Sequence, residues 1–337
     1  VTVFDPDQKE RNLAAEATAW DTSTPVDAAP GDIPIIDIAE YLATDSAESL
    51  HAAASALRDA SERIGFFYLT GHGIGSEQMQ SAFAAARQFH EIPQATRESI
   101  LINGPATDIS GIGYLPFDNH MLPRRATGNQ NEAFLIKGDR DISTDDNQWL
   151  PEADAPGFRH AAETWLATVT ALAMRLLPIY ATALDLPADF FAPAFIDPFW
   201  RLRFTHYPAA TDGSPTDEYG ISPHVDTTFF TLLIQDSPGL TIHHAQKDQW
   251  IKAPLIPDAF VVNSGELLRQ WSNDRFLSTR HFANNPSPSE SRYSIPLFFN
   301  ATADYPMACL PSCHGPGNPP RYPTISYLQS QGVVQGE

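Results

Sequence analysis

The sequence predicts a mainly β protein in which helices pack against a β-sandwich or barrel. Three observations carry this. From residue 200 onward, β-rich runs of four to eight residues (RLRFTHY, TFFTLLI, LTIHHA, WIKA, FVVNS and RYSIPLFF) are separated by PG, PD, SND and NNP turns. Helical periodicity is confined to the part before residue 200, so helices do not alternate with these strands as a parallel α/β sheet requires. No repeat of 20 to 50 residues is visible, and no obvious linker separates the helices from the strands.

Taken in order, residues 1–32 are polar, with Pro25 and Pro30 near their end, and read as an N-terminal arm. IPIIDI (33–38) is a short β-branched run. Leu50, Ala54, Leu57 and Ile64 then mark one face of a helix, and GFFYLTGH (65–72) is the next strand. Ser76 reads as the cap of a second helix carrying Met79, Phe83, Ala86 and Phe89 before Pro93. Residues 101–154 are rich in Gly, Asn, Asp and Pro and offer one strand candidate, NEAFLIKG (131–138). A long helix follows over 157–184, with Trp165, Val169, Leu172, Leu176, Tyr180 and Leu184 on one side and a bend or break expected at Pro178. The expected organisation is an arm (1–32), a helical and strand region (33–150) and a helix with the β core (151–337), in one structural domain.

Composition narrows the function. The 337 residues carry 21 Lys+Arg against 41 Asp+Glu, a net charge of -20, and no basic cluster. Such a chain repels phosphate backbones and anionic membranes, so neither is an expected partner. With 42% hydrophobic residues a sizeable core is available, and the absence of an apolar run near 18 residues argues against a membrane span. Two cysteines, Cys309 and Cys313, cannot make a disulfide framework. They suit a reducing compartment, and the first twenty residues lack the charged-then-apolar order of a signal peptide, so a cytoplasmic location is expected.

The segment ISPHVDTTFFTLLIQD bears the chemistry. His224 and Asp226 are two apart, so on extended backbone both project from one face. One His and one carboxylate are two parts of the facial triad that leaves open positions on Fe(II). LSTRHFANN supplies a third donor, His281, on a segment that can return to the same centre. Eleven residues on, Arg292 and Ser294 again share a strand face. A guanidinium fork with a hydroxyl at the same depth is a receptor for a carboxylate, and a buried Arg292 needs an anion from the protein or from a ligand.

H-V-D, the distal His and R-x-S resemble the iron- and 2-oxoglutarate-dependent dioxygenases of the isopenicillin N synthase-like group. So do IPIIDI and GFFYLTGHGI near the start, HYP (206–208), the stretch from PGLTIHHAQKDQW to QWSND, and NPPRYPTISY near the end, which together extend the likeness over about residues 33–328. The resemblance implies a double-stranded β-helix, or cupin-like jelly roll, with flanking helices. It implies His224, Asp226 and His281 as iron ligands, Arg292, Ser294 and Tyr207 as the site for the far carboxylate of 2-oxoglutarate, and Phe298 on the substrate wall. The iron centre then performs the chemistry with O2, without a separate acid or base residue. Hydroxylation, desaturation or cyclisation of a small molecule is implied, with release of succinate and CO2. Two alternatives stand beside it: an oxidase or ethylene-forming type that dispenses with 2-oxoglutarate, and a silent ligand-binding barrel. Thr205, Phe282 and Glu266 depart from the common Asn, Arg and Asp of the family pattern.

Other candidates read as structural. Cys309, Cys313 and His314 fall short of a closed four-ligand zinc site. His243 and His244 occupy adjacent strand positions, so at most one faces the barrel. His120, Arg124 and Arg125 read as solvated loop residues, with lining of the substrate mouth as the alternative.

Overall fold

The computed structural model describes Thr22 and residues 24–102, 111–119, 128–210 and 219–331. The chain opens with β1 (Val26–Asp27), β2 (Ile35–Asp37), α1 (Ala39–Thr44) and α2 (Ala47–Arg63). Ser46 caps α2 by accepting from the Ser49 N–H, and Ala53, Ala54, Leu57 and Ala60 form its buried face. Next come β3 (Phe66–Thr70) and α3 (Ser76–Glu91). Ser76 is not the cap of α3. Gly75 holds that position with Gln78 reaching back to its N–H, and the Ser76 hydroxyl donates instead to Asp258 at 2.7 Å. After α4 (Gln94–Arg97), the loop-rich stretch contains two strands, β4 (Gly113–Leu115) and β5 (Glu132–Gly138), where one was expected.

Helix α5 (Phe158–Ala183) runs unbroken through Pro178. The carbonyl that Pro178 leaves unpaired belongs to Met174, whose side chain is exposed, so water can satisfy it. Contrary to the expectation that no segment could span a membrane, α5 is long and apolar enough by length and composition, and 56% of its apolar window is buried in the protein. Its buried side comprises Trp165, Val169, Leu172, Leu176 and Tyr180. Burying each such side chain contributes roughly 1.5–3 kcal/mol.

The remaining elements are β6 (Phe199–Tyr207), β7 (Ile221–His224), β8 (Phe230–Gln235), β9 (Leu240–His244), β10 (Gln249–Lys252), β11 (Phe260–Ser264), α6 (Glu266–Trp271), β12 (His281–Ala283), β13 (Arg292–Asn300) and α7 (Tyr327–Ser330). They form a five-stranded sheet in the order β1-β10-β9-β12-β7 and an eight-stranded sheet in the order β2-β3-β11-β8-β13-β6-β5-β4. Pairing is antiparallel except at β1/β10 and β2/β3. The part of the expected arm that is described therefore docks: Val26 pairs with Ile251 at the edge of the smaller sheet.

Alternation along the central strands divides the molecule into layers. On β13, Tyr293, Ile295, Leu297 and Phe299 join the core shared with α2, α3 and α5, whereas Arg292, Ser294, Pro296, Phe298 and Asn300 line a cavity on the other side. On β6, Leu202 and Phe204 face the helices while Arg201, Arg203, Thr205 and Tyr207 face the cavity. A second apolar cluster, including Phe66, Tyr68, Val261, Leu240 and Ile242, joins the two sheets beside that cavity. This is a jelly roll with one face of its larger sheet covered by helices.

Candidate active site

Strand pairing sets two of the donors side by side. His281 on β12 lies directly opposite His224 at the end of β7, and the ring centroids are 4.4 Å apart. Asp226 sits beyond the end of β7, where its carbonyl accepts from the Glu266 N–H at 2.7 Å and ties the turn to α6. The donor atoms of His224, Asp226 and His281 lie within 4.8 Å of one another.

The hydrogen bonds around this cluster fix which atoms are free. Nδ1 of His224 meets the Ser222 carbonyl at 2.8 Å, and Nδ1 of His281 meets the Thr279 carbonyl at 3.1 Å. A carbonyl only accepts, so both rings carry their proton on Nδ1 and turn the Nε2 lone pair inward. Oδ2 of Asp226 accepts from Thr231 Oγ1 at 2.6 Å and from Asn263 Nδ2 at 2.8 Å. Oδ1 is left facing Nε2 of His224 at 3.5 Å and of His281 at 3.7 Å. Burial alone would raise the Asp226 carboxyl, but the two imidazoles and Asn263 outweigh it and hold the group well below the usual carboxylate range. Burial, with His224 beside it, pushes His281 down to about 4. Three electron-rich atoms thus converge, which fits a divalent cation and leaves room for further ligands.

Across the cavity, Arg292 on β13 pairs in register with Tyr207 on β6, and Ser294 with Thr205. Arg292 is 1% exposed. Its Nε donates to the Ser237 carbonyl at 3.3 Å and its Nη2 to Gln235 Oε1 at 2.9 Å, while Nη1 is buried without a partner. The guanidinium lies 4.6 Å from the Tyr207 ring centroid, and the Tyr207 and Ser294 hydroxyls are 3.4 Å apart. Two glycines make room for this arrangement. A Cβ on Gly239, at φ +153, would come within 2.7 Å of Arg292 Nε, and one on Gly220 within 2.6 Å of the Tyr207 ring. An open N–H on a buried guanidinium, flanked by two hydroxyls, suits one carboxylate. Thr205 also leaves a buried hydroxyl without a partner in the same cavity.

Phe298 lines the cavity opposite Arg201. Phe282 packs instead with Tyr219 and Trp250, and Glu266 pairs with Arg269 at 2.5 Å. His243 packs on Trp250, and neither it nor His244 lines the cavity. Cys313 is buried and Cys309 partly so, both as free thiols, and among the described residues neither joins a metal-competent cluster. His120, Arg124 and Arg125 lie outside the described residues. Sequence reasoning missed Thr231 and Asn263, which orient Asp226, and the inward arginines Arg201 and Arg203. The alternation in RLRFTHY could have revealed the arginines.

Comparison with known proteins agrees with this geometry. The model of the 2OG-Fe(II) oxygenase superfamily matches residues 197–301, and that of the non-haem dioxygenase in morphine synthesis N-terminal region matches residues 33–152. A 2-oxoglutarate-Fe(II) type oxidoreductase of Emericella nidulans is 32% identical, covering 91% of this chain and 93% of that protein. An azadirone synthase of Melia azedarach is 30% identical, covering 82% of this chain and 86% of its own length. A full-length protein of Neurospora crassa, solved in complex with alpha-ketoglutarate, has a TM-score of 0.79 at 24% identity, covering 92% of this chain and 99% of that one. The chain belongs to the 2-oxoglutarate- and Fe(II)-dependent oxygenases, and is an oxidoreductase that uses Fe(II), 2-oxoglutarate and O2.

Proposed function

We propose that His224, Asp226 and His281 hold the Fe(II), that Arg292, Ser294 and Tyr207 hold the far carboxylate of 2-oxoglutarate, and that Phe298 walls the substrate side. The observation that carries this is the facing of three converged donors by a buried arginine with an open N–H. When bound, iron with 2-oxoglutarate and O2 supplies an oxidant able to remove hydrogen from a C–H bond, with succinate and CO2 released. The chain's residues do the positioning. Thr231 and Asn263 occupy one oxygen of Asp226 and direct the other at the metal. Ser222 and Thr279 hold the two rings in the tautomer that binds. Leu233, Leu240 and Pro296 line the same cavity and exclude water from the reacting atoms.

The cavity of about 430 Å³ suits a small molecule beside the cosubstrate. Hydroxylation, desaturation or cyclisation is the outcome we assign, in the cytoplasm and without nucleic-acid or membrane partners. The net charge of -20 and two free thiols support that setting. The 1–32 arm, 33–150 region and 151–337 core remain our division of the chain. The test is spectroscopic. Anaerobic Fe(II) followed by 2-oxoglutarate gives the weak visible charge-transfer band of keto-acid chelation, and Arg292→Ala shifts the 2-oxoglutarate needed for it upward. An unchanged titration in that variant removes the role given to Arg292.

A further inference from the structure

The cavity holds two more arginines that the proposal above leaves unused. The alternation that turns Tyr207 and Thr205 inward on β6 also turns Arg203 and Arg201 inward, and both line the cavity. At about 3.3 Å per residue, they stand roughly 13 and 20 Å along the strand from Tyr207. A five-carbon diacid anchored at Arg292 does not span that distance. They therefore belong to the end of the cavity left for the substrate, where Phe298 is the register partner of Arg201.

Neither side chain meets a carboxylate among the described residues. Arg203 donates to Asn131 Oδ1, and its Nε is buried without an acceptor. The Arg201 side chain makes no hydrogen bond or ion pair with any described residue, and its Nε is buried and unsatisfied too. Lys137 on β5 is directly opposite Arg201 in register. Burial first, and Arg201 second, pull Lys137 below the ordinary lysine range, against the opposing effect of Asp139. Burial likewise lowers Arg203 from the ordinary arginine range, with Tyr207 opposing the shift and Arg201 adding to it. The Arg201 side chain is confined as well: a Cβ on Gly111 would stand 3.2 Å from its Nη2, and Tyr327 of α7 lines the same end of the cavity.

A chain with 41 acidic residues against 21 basic ones has acids to spare, and elsewhere it uses them. Arg97, Arg269 and Arg275 are each held by carboxylates. Leaving the buried Arg203 and the half-buried Arg201, whose Nε is itself buried, without one among the described residues is unfavourable unless a ligand brings the anion. Leu135, Phe199 and Phe298 give that end apolar wall beside the polar Asn300, Ser330 and Gln331, none of which carries a charge.

We infer that Arg201, backed by Arg203, recognises a carboxylate on the primary substrate, so that the enzyme oxidises a small organic acid whose apolar body lies against Leu135, Phe199 and Phe298. This rests on the assignment of Arg292 to 2-oxoglutarate. A guanidinium fork set in an apolar wall matches a planar carboxylate.

The experiment compares acids with their amides. The protein is loaded anaerobically with Fe(II) and 2-oxoglutarate, and phenylacetate, cinnamate and octanoate are titrated in parallel with phenylacetamide, cinnamamide and octanamide. Thermal stability and the visible band are both read. At least one acid raises Tm and perturbs the band while its amide does neither. Arg201→Gln weakens that acid at least tenfold, keeps the 2-oxoglutarate band, and by itself leaves Tm unchanged or higher, because it removes an uncompensated charge. Arg201→Lys retains part of the binding. The inference is overturned if no acid binds the wild type, if amides bind as well as acids, if Arg201→Gln binds the acid undiminished, or if Arg201→Gln lowers Tm by several degrees, which would make Arg201 a structural residue with its own counter-ion. Loss of the band in the loaded wild type would instead sink the 2-oxoglutarate assignment, so the two failures are distinguishable.

Discussion

The two walls of the cavity are unsatisfied in opposite senses. On the five-stranded sheet and the turn that leaves it, His224, His281 and Asp226 have every outward atom occupied by a carbonyl, a hydroxyl or an amide, and what remains is three electron-rich atoms turned toward one another. On the eight-stranded sheet, Arg292, Arg203 and Arg201 each keep a buried N–H with no acceptor among the described residues. One wall calls for a cation and the other for anions. The contrast means that the cavity is built around its cargo, since polar groups left unpaired in a folded interior are costly and persist where binding repays them.

The largest effect expected is on the cation side. Asp226→Ala removes the only carboxylate among the three donors, and turnover of 2-oxoglutarate to succinate falls on the order of 10³-fold or more, together with loss of stoichiometric iron. Retention of tight iron binding in that variant would break the comparison at its first wall.

A paired arginine on the opposite face of the larger sheet serves as the control for the unpaired ones. Glu132 on β5 accepts from Arg97 at 2.6 Å, Tyr114 at 2.5 Å and His206 at 2.7 Å. Glu132→Gln strips a buried Arg97 of its counter-ion and lowers unfolding free energy by about 3–5 kcal/mol in urea titration, whereas Arg201→Gln leaves it unchanged. Equal losses would mean that both arginines are structural. The same cluster sets the acid limit. Burial opposes the Glu132 charge, but His206, Tyr114 and Arg97 bring its carboxyl down to about 2, so its contribution is full above the unfolded value of 4.5 and disappears as pH falls from there toward 2. His90 beneath it is held neutral by burial, down to about 3 from 6.5, with Nδ1 donating to the Ala86 carbonyl at 2.7 Å. Its folded pKa is depressed, so stability is present above 6.5 and declines by about 1.4 kcal/mol per pH unit below it. Thermal unfolding between pH 7 and 4 measures that slope, and His90→Gln flattens its upper part.

On the anion side, Arg292→Ala weakens 2-oxoglutarate by about 30-fold or more, the loss expected when one partner of a buried charge pair is cut away. Iron binding without the cosubstrate stays intact. The smallest effect lies behind the donors: Asn263→Ala frees one oxygen of Asp226 and lowers iron affinity by roughly 10- to 100-fold, the range typical of groups that orient a metal ligand. A competition titration with a chelator reads it.

Much of this was legible in the sequence for one reason: a strand's period of two needs no partner to be seen. R-Y-S and R-L-R-F-T-H-Y state which side chains share a face, and the helix over 158–183 announces its buried stripe. In H-V-D, by contrast, the strand ends at His224, and Asp226 reaches the centre from the turn beyond it. Local signals were less secure where a competitor existed. Ser76 looked like a cap, yet its hydroxyl is taken by Asp258, 182 residues away, and Gly75 does the capping. Pro178 looked like a break, yet the helix continues because the carbonyl it leaves open belongs to a residue on the exposed side. Strands β7 and β12, of four and three residues, are too short to show a period, so an extended setting for their histidines was legible but not the strands' bounds or pairing.

The residue types of the site, their faces on each strand and the β-rich class are properties of the chain alone, because they follow from backbone geometry within a few residues. The folded arrangement was needed to learn that His281 pairs with His224 across 57 positions and that Tyr207 stands opposite Arg292. It was needed too for Arg201 and Arg203, which find no acid among the described residues of a chain that has twenty more acidic than basic residues. Register and partner choice are set by hydrogen bonding between distant strands and by what the folded surroundings leave empty, and neither is written in any short stretch of chain.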